Sequence, residues 1–189
     1  MKKITIAVAA LTLLSGAAFA EQSPWMVRAR GVGLDMANKD STALGLSVNN
    51  KTIPEVDISY FINKNVAVEL ILTVPQKQTV NSSALGTDIG TFKHLPPVIT
   101  LQYHFDTVSG IKPYVGAGVN YTQITQVNLL DGGANINSNS WGGALQAGVD
   151  FPIDKNLSFN IDIKKLSLKT DVFVGGANKG LLKLDPTLI

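Results

Sequence analysis

The chain carries two histidines, His94 and His104, and no cysteine. They lie ten residues apart with no further donors gathered beside them, and a metal site needs at least three ligands around one point. His94, in a Leu-Pro-Pro context, reads as a residue that shapes a loop; His104 sits beside a short turn and within reach of a hydrogen bond. Ser, Asp and His occur nowhere at the spacing of a nucleophile motif. Without cysteine there is neither thiol chemistry nor a disulfide framework. Glycines 116, 118, 142, 143 and 148 are scattered along alternating segments and do not make a phosphate-cradling run. No enzyme, no metal and no cofactor are expected.

The chemistry that remains is charge. Arg28, Arg30, Asp57, Glu69, Asp150, Asp162 and Lys164 occupy alternate positions of segments whose other parity is largely apolar. Mixed signs facing a confined interior point to a structural ion-pair network, because an unpaired buried charge is costly. Selective conduction of ions past these groups is the alternative.

The elements that must position them show period two. In Trp141 to Phe151, Trp141, Leu145, Ala147, Val149 and Phe151 share one parity; after a turn at Pro152-Ile-Asp-Lys-Asn156, Leu157, Phe159, Ile161 and Ile163 share one face against Asn160, Asp162 and Lys164. Six further alternating segments begin near Trp25, Pro54, Val66, Pro97, Pro113 and Leu181. The connections 38–53, 75–96, 125–140 and 170–180 are long and rich in Asn, Ser, Thr and Gly, and read as loops. Those between them are tight turns. Long and short connections that alternate are the mark of a barrel with short periplasmic turns and long outer loops.

Residues 1–20 read as a secretory signal peptide: Lys2 and Lys3, an apolar run from Ile4 to Leu14, then Ala18-Phe-Ala20, with cleavage before Glu21. Residues 21–189 make one barrel domain. Without Lys2 and Lys3 the 16 basic residues fall to 14, matching the 14 acidic ones. That balance, with no clustered basic face, gives no footprint for nucleic acid. No later run is apolar enough for a membrane helix.

Aromatic residues gather near the strand ends, as an interfacial girdle requires: Trp25, Phe61, Phe105, Tyr114, Tyr121, Trp141, Phe151 and Phe159. The expected fold is therefore all-β, an eight-stranded antiparallel transmembrane barrel in the bacterial outer membrane. The eighth strand is required because an open sheet edge in lipid leaves amides unpaired. Its bore is narrow.

Parity also singles out an apolar set. Val32, Leu34 and Met36 continue the parity of Arg28 and Arg30, and Leu166 and Leu168 continue that of Asp162 and Lys164. If strand register runs through, all five face inward near the outer end and line an apolar chamber. Bulges at Gly31–Gly33 and at Lys164–Lys165 would instead return them to lipid.

Pro54-Glu-Val-Asp-Ile-Ser-Tyr-Phe61, Lys93-His-Leu-Pro-Pro97, Gln102-Tyr103, Lys112-Pro-Tyr-Val-Gly-Ala-Gly-Val-Asn-Tyr121 and Ala144-Leu-Gln-Ala-Gly-Val-Asp150 together resemble the OmpW family of small outer-membrane barrels. The resemblance implies an eight-stranded barrel serving as a narrow channel or receptor for small hydrophobic molecules. Members usually finish on a complete strand with a terminal aromatic residue, whereas this sequence stops at Leu188-Ile189, so its last strand is expected to be cut short. The partners expected are outer-membrane lipid and a small hydrophobic ligand. The alternative is a structural or surface-interaction barrel with a filled lumen, acting through its outer loops; a secreted soluble barrel of the lipocalin sort would also alternate.

Overall fold

In the computed structural model, residues 15–16, 23–154 and 157–189 are described. The expected leader lies outside them except for Ser15–Gly16, which pairs with Ser158 and Leu157.

Eight strands close a ring: β1 (Trp25–Asp35), β2 (Lys51–Phe61), β3 (Val66–Thr73), β4 (Val98–His104), β5 (Lys112–Leu129), β6 (Asn139–Pro152), β7 (Leu157–Leu166) and β8 (Thr187–Leu188). Each pairs antiparallel with its neighbours in chain order, and β8 joins β7 to β1. Burial follows the alternation in the reverse sense to a soluble protein. Val56, Val68, Leu72, Ile99, Leu101, Val115, Val119, Leu145, Ile161 and Ile163 are exposed on the outside, whereas Arg28, Asp57, Glu69, Gln102, Asp162 and Lys164 are buried within. Apolar residues facing out and polar ones facing in is the pattern of a sheet dissolved in lipid.

Turn chemistry is local. Between β2 and β3 the Asn63 side chain accepts the amide hydrogens of Asn65 and Val66, each at 2.9 Å, and Asn65 donates to the His104 carbonyl at 2.7 Å. Edge-on and tilted aromatic pairs mark the strand ends: Trp25 with Tyr60 at 4.9 Å, Tyr103 with Phe105 at 5.1 Å and Phe151 with Phe159 at 5.9 Å near the short turns, and Tyr121 with Trp141 at 4.8 Å near the other end.

Two of the expected girdle residues turn the other way. Tyr114 is buried, on the same parity as Asn120, because Val115, Ala117 and Val119 take the outward positions of β5. Phe61 follows Asp57 and Ser59 on β2 and sets its ring 4.8 Å from that of His104, which is itself buried. Nearness to a turn suggested the membrane interface for both; parity decides against it. Tyr60 and Tyr103 hold the outward places.

The outer connections are a second correction, since they are strands and not loops. Leu46–Val48 pairs with Gln76–Ser82, that with Thr87–Leu95, and that with the upper part of β5. Leu129 then pairs with Ala134, Ala134–Ile136 with Lys169–Val174, that with Ala177–Lys183, and that with Lys39–Asp40. Side chains stitch the remaining gap. Asn38 donates to the Val48 carbonyl at 2.9 Å and accepts its amide at 2.8 Å, and the Asp40 carboxylate accepts from the amides of Thr42 and Leu46, each at 2.9 Å. Partial burial pushes the Asp40 carboxyl upward, but these amide donors outweigh it and hold it below the usual carboxylate range. Thus the wall continues beyond the lipid as a collar of polar ribbons. Gly90 lets one ribbon in close: its φ is +138°, and a Cβ there would stand 1.9 Å from the Asn128 carbonyl oxygen.

The stretch from Leu181 to Ile189, read as the start of one strand, is divided. Ala177–Lys183 belongs to the collar, and only Thr187–Leu188 joins the ring, beside Lys164–Lys165 and Leu34–Asp35. Ile189 adds a reciprocal pair of bonds with Gly33 at 2.6 and 3.0 Å. The Asp185-Pro186 step interrupts pairing between them, as proline has no amide hydrogen to give.

Candidate functional site

The lower lumen is filled by one polar network. Arg28 on β1 donates from Nη2 and Nε, one edge of its guanidinium, to Asp150 on β6 at 2.8 and 3.3 Å, and from Nη1 to Glu69 on β3 at 3.0 Å. Its charge also lies 5.0 Å from the centre of the Tyr114 ring. Two positions along β1, Arg30 pairs with Glu55 at 3.1 Å, with Asp57 at close range and with Asp162 at 3.3 Å. Lys164 on β7 joins Glu55 at 2.7 Å and Asp162 at 2.9 Å. All seven charged residues singled out in the sequence are buried in this network. Glu55 is the member that sequence reasoning missed, although its parity with Asp57 and Ser59 on β2 marked it.

Neutral groups tie the charges together. Gln102 donates to Glu69 at 2.6 Å and to Gln146 at 3.1 Å; Gln146 donates to Asp162 at 2.6 Å; the Tyr114 hydroxyl donates to Asp162 at 3.1 Å. Asn160 donates to Asp150 at 2.8 Å, and His104 shares a 2.9 Å hydrogen bond with Gln102. Tyr114 fits because residue 148, opposite it on β6, is glycine: a Cβ there would stand 2.4 Å from its ring. Three cations thus meet five carboxylates, and few of these groups lack a partner. A network whose members are satisfied in this way is rigid.

Above it the same strands become apolar inside. Register runs unbroken from Arg28 to Leu34 against β2 and up to Leu166 against β6, so neither suspected bulge is present. Val32, Leu34, Met36, Leu166 and Leu168 are all buried on the lumenal side, and Ile53, Val98, Leu184 and Leu188 are buried with them. The collar and the upper part of β5 add Val48, Val80, Phe92, Ile124 and Leu182 to the same buried apolar cluster. The lumen is therefore polar below and apolar above, with the ribbons as its roof.

Residues 24–189 match the family model described as "OmpW family". The chain belongs to the OmpW family. A relative from Sinorhizobium fredii, named "Uncharacterized outer-membrane protein y4mB", is 39% identical over 178 residues, covering 88% of this chain and 77% of the relative. Outer membrane protein W of Escherichia coli is 35% identical over 202 residues, covering 98% and 95%. A Pseudomonas aeruginosa protein named "Dibenzothiophene metabolism operon protein PahQ" is 30% identical over 209 residues, covering 100% and 95%. The crystal structure of OprG from the same species superposes with a TM-score of 0.74 at 22% identity, covering 87% of this chain and 90% of that one, a likeness of fold. This OmpW-family barrel is a protein of the bacterial outer membrane, embedded in lipid through the apolar band described above. Barrels of the outer membrane carry tight turns on the periplasmic side and long connections on the outer side, an orientation that this division into tight turns and a long collar fits.

Proposed function

We propose that this OmpW-family barrel binds small hydrophobic molecules in its upper lumen and passes them across the outer membrane. A molecule enters beneath the collar and settles on Val32, Leu34, Met36, Leu166 and Leu168. Release of ordered water drives this step, worth about 0.8 kcal/mol per buried methylene. The network from Arg28 to Lys164 blocks straight descent, so the molecule leaves sideways between strands into the bilayer. Nothing is transformed on the way, and the barrel acts by binding and partition.

The observation that carries this reading is the change of the lumen from charged to apolar along continuous strands. A purely structural barrel would gain nothing by keeping its charges at one end. The name of the Pseudomonas aeruginosa relative, which belongs to a dibenzothiophene metabolism operon, supports it, since dibenzothiophene is a small, flat, apolar molecule.

The test is a titration of an apolar fluorescent probe into the refolded barrel and into Leu34→Asp. Saturable binding by the wild type that the folded variant has lost supports an upper-lumen site. Equal binding by both defeats it.

A further inference from the structure

On the inner face of the collar, two polar side chains meet among apolar neighbours. Gln78, on Gln76–Ser82, and His94, on Thr87–Leu95, both turn inward and are almost fully buried, at 0% and 1% exposure. Their Nε2 atoms lie 3.2 Å apart, and the His94 ring is 6.0 Å from that of Phe92. Val80, on the ribbon of Gln78, and Ile124, which pairs with His94 from β5, are also buried beside them. The other two polar atoms of the pair, Gln78 Oε1 and His94 Nδ1, are buried with no hydrogen-bond partner among the described residues. Buried polar groups in folded proteins are nearly always satisfied, so two stranded atoms on adjacent side chains call for a partner.

The kind of partner follows from hydrogen-bond logic. With the amide as placed, Gln78 donates to His94 Nε2, so Nδ1 carries the proton: the pair then offers a free donor on His94 and a free acceptor on Gln78. With the amide turned over, Nε2–H donates to the Gln78 oxygen, leaving a free amide donor and a free Nδ1 acceptor. Either arrangement presents one donor and one acceptor. A hydroxyl, which can both donate and accept, can partner whichever of the two it reaches, whereas a hydrocarbon partners neither. Burial, helped by the nearby positive charge of Lys51, pushes His94 down to about 4, so the ring is neutral at physiological pH and adds no charge of its own.

We propose that Gln78 and His94 form a recognition point in the wall of the upper lumen that favours apolar molecules bearing one hydroxyl over hydrocarbons of the same size. This rests on the reading of the upper lumen as a ligand site. Lys51 lends positive field to the same wall, so a fatty carboxylate is the competing occupant that an experiment must separate.

The full chain in lipid nanodiscs, loaded with N-phenyl-1-naphthylamine, is challenged at pH 7 with 1-octanol, octane or octanoate, each corrected for partition into empty nanodiscs. The wild type is expected to prefer octanol to octane by roughly five- to tenfold, the size of one net hydrogen bond. In Gln78→Met/His94→Phe, octane displaces the probe as before and the preference for octanol disappears. Gln78→Met alone serves if the double variant does not fold, and it is expected to lose most of the preference. A preference unchanged by substitution overturns the proposal, and so does octanoate displacing best. Failure of the wild type to hold the probe at all overturns the ligand site itself, and the recognition point with it.

Discussion

The two halves of the lumen are built on the same strands and obey the same alternation, yet they work in opposite ways. Below, β1, β2, β6 and β7 turn Arg28, Arg30, Glu55, Asp57, Asp150, Asp162 and Lys164 inward, and every guanidinium and ammonium is engaged with more than one carboxylate. Above, β1, β7 and the collar turn in a cluster of apolar side chains, with neutral polar ones such as Gln76, Gln78 and His94 also buried in the collar. Directional bonds hold the lower half in one arrangement, and removal of any member strands its partners. Dispersion and burial hold the upper half, and these tolerate exchange of one apolar occupant for another. On the proposed reading, the lower half acts as a stopper and the upper half as the receptacle above it.

Substitutions should expose that contrast. Arg28→Met leaves Glu69 and Asp150 without their cation and is expected to destabilise the barrel by about 3–5 kcal/mol, the usual result of breaking a buried ion pair from one side. Leu34→Met, at the same depth of burial in the upper half, is expected to cost under about 1.5 kcal/mol. Guanidinium unfolding in lipid vesicles measures both, and similar losses would erase the distinction between the halves.

Gly148→Ala drives a methyl into the Tyr114 ring and is expected to cost about 1–3 kcal/mol by overpacking. Combining it with Tyr114→Leu should recover part of that loss, which a double-mutant cycle reads directly. Tyr114→Phe removes only the hydroxyl that donates to Asp162, and about 1 kcal/mol is expected in the same unfolding assay.

The smallest effect is local and depends on pH. His94 has a folded-state pKa of about 4, below its ordinary 6.5, so between those values the unfolded ribbon takes up a proton that the folded one refuses. Stability of the ribbon is complete above pH 6.5 and declines as the pH falls toward 4. Hydrogen-exchange protection over residues 76–95, corrected for the intrinsic pH dependence of exchange, should fall as the pH drops through that window in the wild type and change little in His94→Phe.

Much of this was legible in the residues, and the failures have definite physical causes. Wherever a strand borders lipid, the outward parity must be apolar, so Val115, Ala117 and Val119 fix the direction of everything between them. The inward course of Arg28 through Leu34 could be followed for the same reason. Tyr114 was misjudged because aromatic residues beside turns suggest an interface, although its own parity pointed inside.

The collar was hidden for a different reason. Beyond the bilayer water satisfies the outer face, so Gln76-Lys-Gln-Thr-Val-Asn-Ser82 forms a strand with little apolar alternation and reads like a loop. Gln78 and His94 went unnoticed as a pair because their meeting depends on ribbon register, which composition does not encode. Glu55 required only that parity be followed one step further along β2.

If the proposed site is the one used, apolar molecules bind in the upper lumen and not on the lipid face. Methyl-labelled protein in nanodiscs, titrated with N-phenyl-1-naphthylamine and followed by NMR, tests it most directly. Saturable shifts are expected at Leu34, Met36, Leu166 and Leu168, with Leu101, Val119 and Leu145 on the lipid face unmoved. Shifts confined to those outward methyls, with the inner set unchanged, would contradict it.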